Sequence, residues 1–200
     1  MLLPLIIAAA SNLIYPPSGY TITTKVESPN HTFTVESYFS DGDERKAEPI
    51  WVVPIKDRKA QPFLLYDPDK VSPFSVPSIR ISPDEHWILR HEKLCHGQNA
   101  AWLYEQSSPL HFTEIPLSEQ AWQFFTQQSH HAFRLDYRFM IEVGEWPTKS
   151  NRLLIQLHGD DRNIYVSEWF CYYDLQMHKF FVDSKLAQKN KDSIQPSENK

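Results

Sequence analysis

Two hundred residues with 41% hydrophobic and 14% aromatic content suit one domain with a substantial core and exclude a disordered chain. A formal charge of −5 and a pI near 6.0, with no basic stripe, exclude a surface built to hold a nucleic-acid backbone. No apolar run reaches the roughly 20 residues of a membrane-spanning helix, which excludes an integral membrane segment of that kind.

The chain opens MLLPLIIAAASNLIYPP. The apolar run Leu2 to Ala10 ends in three alanines and matches the core and cleavage site of a signal peptide, with a mature start at Ser11, although the positive leader is missing. This predicts a periplasmic or secreted protein; the alternative is a cytoplasmic domain whose first strand is this run. A single β-rich domain is expected over residues 11–183.

Ten of the fifteen prolines fall between Pro16 and Pro83. Proline lacks the backbone donor and kinks helices, so the first half has no room for a long one. YTITTKVE and HTFTVESYF alternate, and SPNH between them is turn chemistry, which predicts a hairpin. The solvated loop DGDERKAEP holds Asp41, Gly42, Asp43 and Glu44, without the ligand order of an EF-hand. IWVVPI and FLLYDPD predict two short strands.

Ile79 and Ile81 lead into the SPDE turn, and Trp87 to Leu94 is the next strand. HGQN turns the chain into Ala100 to Glu105. LSEQAWQFFTQQSH is the one clear helix, with Ser118 as N-cap, Glu119 in the first turn and Ala121, Trp122 and Phe125 as the buried stripe. FRLDYRFMIEV predicts a long strand with Phe133, Leu135, Tyr137, Phe139, Ile141 and Val143 on one face. LLIQLH, an HGDD turn, NIYVSEWFCYYDL and HKFFV predict further strands. Residues 184–200 lack apolar periodicity and read as a frayed, disordered tail. The expected fold is mainly β, an antiparallel meander with one short inserted helix.

His86, His91, Cys95 and His96 crowd one stretch, but a strand sends them to opposite faces, and a tetrahedral metal site needs convergence. The better candidate is His158-Gly159-Asp160-Asp161, where two carboxylates beside an imidazole suit a cation or acid–base work. His96 and Asn99 of the HGQN turn join it as ligand-binding candidates if both turns lie at one end of the sheet. There is no Gly-x-Ser-x-Gly elbow, Gly-rich phosphate loop, HExxH or GxGxxG, so no catalytic residue, resident metal or cofactor is assigned. Cys95 and Cys171 are either buried thiols or, in an exported protein, one disulfide. Trp169, Phe170, Tyr172 and Tyr173 run along both faces of one strand, either as core or as an aromatic patch for a protein partner.

The segment SPDEHWILRHEKLCHGQNAAWLYE resembles one blade hairpin of TolB-like or WD40-like β-propellers. The match rests on Ser82, Pro83, Asp84, Gly97 and Tyr104, with Glu85 where a glycine is usual. The resemblance implies a propeller-like arrangement as an alternative fold, and a binding platform rather than an enzyme. The expected function is a non-catalytic binding or structural module. The alternative is a metal-dependent, hydrolase-like enzyme using the His158–Asp161 turn.

Overall fold

A computed structural model describes residues 15–66, apart from 17, 41–48 and 58, together with residues 76–197. The expectations for residues 1–10 and for the Asp41–Glu44 loop lie outside the described residues.

Alternating apolar residues in the proline-rich half build a four-stranded antiparallel sheet from β1 (Tyr20–Glu27), β2 (Phe33–Ser40), β3 (Ile50–Pro54) and β4 (Phe63–Tyr66), paired in that order. The Ser28–His31 turn closes the first hairpin: Ser28 N donates to Phe33 O, and Ser28 Oγ accepts from Thr32 N and Phe33 N. Phe33, Val35, Ile50 and Val52 turn one face inward against Ile79, Ile81, Ile88 and Tyr104 of the second sheet.

The second sheet has nine strands. Its path runs β12 (Lys179–Phe181), β11 (Ile164–Asp174), β10 (Arg152–Asp160), β9 (Arg138–Val143), β7 (Gln98–Ser108), β6 (Trp87–Cys95) and β5 (Ser78–Ile81). Two further strands lie off this path: β8 (His111–Ile115) pairs β7, and β13 (Ile194–Pro196) pairs β11. Every pairing is antiparallel except the brief parallel contact of β7 with β9 at Gln98 and Phe139. Helix α1 (Leu117–Ser129) packs on β7 and β10. Its Leu117, Ala121, Trp122 and Phe125 meet Leu89, Leu103, Ile155 and Leu157 in the larger core.

The mainly β, antiparallel architecture matches the sequence expectation, and the described strands close no barrel. β5 to β8 and β9 to β12 each pair in chain order, and the brief β7–β9 contact at Gln98 and Phe139 joins these two runs into one sheet, apart from the β1–β4 sheet. The SPDE turn itself is as drawn from the sequence. Glu85 takes φ +61°, the left-handed conformation that favours glycine. Its carboxylate accepts from Asn30 N and the Thr32 hydroxyl, tying the second sheet to the first.

Several expectations need correction. Ser118 is not the N-cap; Pro116 is, with no side-chain bond, while Ser118 Oγ accepts from Ala101 N at 2.6 Å and fastens the helix to β7. The long strand from Phe133 shrinks to β9, because Phe133 stacks on Trp122 at 4.1 Å and Asp161 accepts from Arg134 N, drawing this segment off the sheet. Leu135 is consequently 39% exposed. The Cys95–Cys171 disulfide is also absent: both are free thiols, Cys171 buried in β11 and Cys95 half-buried beside Gln98 Oε1. Burial pushes the Cys171 thiol well above its ordinary range.

The segment from residue 184 is not a frayed tail. It forms α2 (Ser184–Lys189), a 3-10 turn (Asn190–Asp192) and β13. Asp183 caps α2 by accepting from Leu186 N, and Leu186 is buried. Asn190 then grips β11 through both amide atoms, accepting from Phe170 N and donating to Phe170 O at 2.8 Å each. Asn190→Ala should cost about 1 kcal/mol and speed hydrogen exchange at the Phe170 amide; unchanged protection there would count against this anchor. The same segment covers the aromatic run, with Lys189 Nζ 3.5 Å from the Phe170 ring centre. Trp169, Phe170 and Tyr173 are buried and Tyr172 packs on Phe181, so no exposed aromatic patch exists on β11.

Candidate functional site

Gly159 was expected at a turn, yet it belongs to β10, and the turn begins one residue beyond Asp160. An irregularity in the β10–β11 ladder between Leu157 and Gly159 frees the backbone of Ser167. Its carbonyl accepts from His158 Nδ1 and its N–H donates to Ser193 O. A carbonyl can only accept, so Nδ1 carries the proton, and the neutral ring keeps its lone pair on Nε2. Tyr165 stands edge-on to the same ring at 5.4 Å.

Strand alternation puts His158 and Asp160 on the face of β10 opposite Leu157, away from the helix. On β9, Met140 lies opposite His158 and Arg138 opposite Asp160. The β6–β7 turn reaches the same place, because Phe139 N donates to Gly97 O at 3.0 Å. Gly97 has φ +75°, and a Cβ there would sit 3.0 Å from Arg138 Cγ. Its missing side chain is therefore what lets the Arg138 stem lie across the turn. β13 supplies the remaining wall through Gln195 and Pro196.

These segments enclose a cleft of ≈ 690 Å³ lined by His96, Arg138, Met140, His158, Tyr165 and Gln195, among others. The HGQN turn and the end of β10 thus do lie at one end of the sheet, and His96, His158 and Asp160 share the cleft. Asp161 does not. Its carboxylate accepts from Asn163 N, Ile164 N and Arg134 N, so it holds the turn and the entry to β9. Asp160, 5% exposed, accepts from Arg162 N and Ser197 Oγ. Asn99 is away from the cleft wall, its Oδ1 accepting from Ile141 N at 2.6 Å to bridge β7 and β9.

Arg138, Met140, Tyr165, Gln195 and Pro196 are lining residues that the sequence does not signal. Arg138 reads as a solvent-side residue of an alternating strand, and Gln195 and Pro196 fall in the supposed tail. Only the β7–β9 contact and the docking of β13, both long-range, assemble them. Among the described residues no three His, Cys, Asp or Glu side chains converge as a metal site. His86 faces Glu105 at 3.4 Å and His91 Nε2 bonds Ile141 O, so the crowded histidines disperse as their strand positions require.

Fold and cleft together define a small two-sheet β protein, one helix against the larger sheet, with a polar-walled cleft at the sheet's end. No protein-family model matches the chain, and no curated protein matches it in sequence. No helix among the described residues is long and apolar enough to cross a membrane.

Proposed function

We propose that the chain is an exported, non-catalytic binding module whose ligand occupies the cleft between β9, β10, β13 and the β6–β7 turn. The cleft carries this reading. Its ≈ 690 Å³ lies within the roughly 300–1,000 Å³ of small-molecule sites. Its wall combines apolar Met140 and Pro196 with a few convergent polar groups, the usual make-up of a recognition site. The export part rests on the Leu2 to Ala10 run of the sequence.

The hydrolase reading asks His158, Asp160 and Asp161 to act together. Asp161 is committed to three backbone donors outside the cleft, and Asp160 is drawn into the turn by Arg162 N and Ser197. These commitments favour binding over acid–base chemistry.

Two measurements test the proposal. The intact mass from an exporting bacterial host should show loss of residues 1–10; an uncleaved chain would overturn export. In an NMR screen of small molecules against the 15N-labelled chain, binders should perturb the amides of Gly97 and Gly159 together. Metal-dependent turnover of ester or phosphoester substrates, lost in Asp160→Asn, would overturn the non-catalytic reading.

A further inference from the structure

We infer that the cleft is selective for a small organic anion, a carboxylate or phosphate ester, whose charged end pairs with the guanidinium of Arg138 in the cleft wall. This rests on the cleft being the ligand site and adds the class of ligand. The chain has net charge −5, yet the only lysine or arginine in the cleft wall has no carboxylate within ion-pair distance among the described residues. Arg138 instead rests near the face of Tyr137, 5.0 Å from the ring centre. Arg162 lies near the same ring at 4.8 Å, and neither guanidinium has a carboxylate within ion-pair distance among the described residues.

The surrounding chemistry agrees. Guanidinium offers a planar fork that matches a carboxylate or phosphate edge with two parallel N–H donors. Tyr165 and Gln195 bring a hydroxyl and an amide. Met140 and Pro196 give the organic body of the ligand an apolar surface. The one acid in the wall, Asp160, is engaged by Arg162 N and Ser197 Oγ.

The test uses the full chain, with benzoate and phenyl phosphate as anionic probes and benzamide as the neutral counterpart of benzoate, followed by NMR titration at the Gly97 and Gly159 amides. At least one anion should bind while benzamide binds at least about tenfold more weakly. Arg138→Gln should weaken the anion by a similar factor, and Arg138→Lys should recover part of the loss. Arg138 is exposed, so these variants keep the fold. Preference for benzoate assigns a carboxylate and preference for phenyl phosphate a phosphate ester. Benzamide binding as well as benzoate, or an Arg138→Gln variant that binds anions unchanged, would overturn the anion inference and leave the cleft as the ligand site. Failure of all three probes to perturb either glycine, with neutral ligands from the broader screen binding there, would overturn it as well. If no compound of either kind reaches the cleft, both readings fall.

Discussion

Gly159→Val should destabilise the protein by at least about 3 kcal/mol, lowering Tm by about 6–12 °C. The reason is steric. A Cβ at this position would lie 2.6 Å from Phe133 Cζ, 2.8 Å from the Arg138 carbonyl oxygen and 3.0 Å from Trp122 Cη2. The carbonyl belongs to the β9–β10 ladder and cannot retreat without breaking it. The two rings cannot retreat either. They are stacked on each other, and Trp122 is buried against Phe125 at 5.5 Å. Gly159→Ala has the same sign and a smaller size. Gly19 provides the contrast: with φ +77° and no atom within 4 Å, Gly19→Ala adds only backbone strain, about 1 kcal/mol. Thermal melts of the three variants separate the two causes. A Gly159→Val protein melting within 2–3 °C of the parent would refute the close approach. Because Arg138 and His158 flank this glycine on paired strands, the variant should also lose anion binding even where it stays folded.

That glycine also shows what a single sequence can and cannot reveal. Local alternation located both strands of the first hairpin, the Trp87 to Glu105 hairpin and the β10–β11 pair, because each buries one face and turns on Gly, Pro, Asn or Asp. The same reasoning placed Gly159 in a turn, since glycine in a turn and glycine beneath two aromatic rings look identical in one dimension. The strand from Phe133 failed for a related reason. Its alternation is real, but Trp122 takes Phe133 as a stacking partner and Asp161 takes the Arg134 N–H, so tertiary contacts outweigh local pattern. β13 carries one apolar anchor, Ile194, against Val166, too little to register as periodicity. The cleft was half legible. His96, His158 and Asp160 stood out by residue type, whereas Arg138 and Gln195 acquire their place only through pairings 30 or more positions apart.

Glu36→Gln should cost about 2 kcal/mol near neutral pH, and the deficit relative to the parent should shrink as the solution is acidified. Glu36 is 2% exposed on β2, on the face of the small sheet opposite Val35. Burial alone would raise its pKa. Hydrogen bonds from Tyr38, Lys25, Tyr15 and Thr34 outweigh that cost and hold the carboxyl below its ordinary value of 4.5. The partners stand close: Tyr38 Oη at 2.6 Å, Tyr15 Oη and Thr34 Oγ1 at 3.0 Å, and Lys25 Nζ at 2.9 Å. A folded pKa below the unfolded one means that the ionised group stabilises the fold above the unfolded value. The contribution fades as pH falls from about 4.5 through the lower folded pKa, where protonation removes the acceptor that four donors share. A glutamine at this position offers one acceptor oxygen and turns an N–H₂ toward hydroxyls already donating, so its penalty does not follow that titration. Urea unfolding of parent and variant at pH 7 and pH 3 measures the difference directly. A gap that is equal at both values, or wider at pH 3, would mean that Glu36 is not ionised in its buried site and that the four donors do not act through its charge.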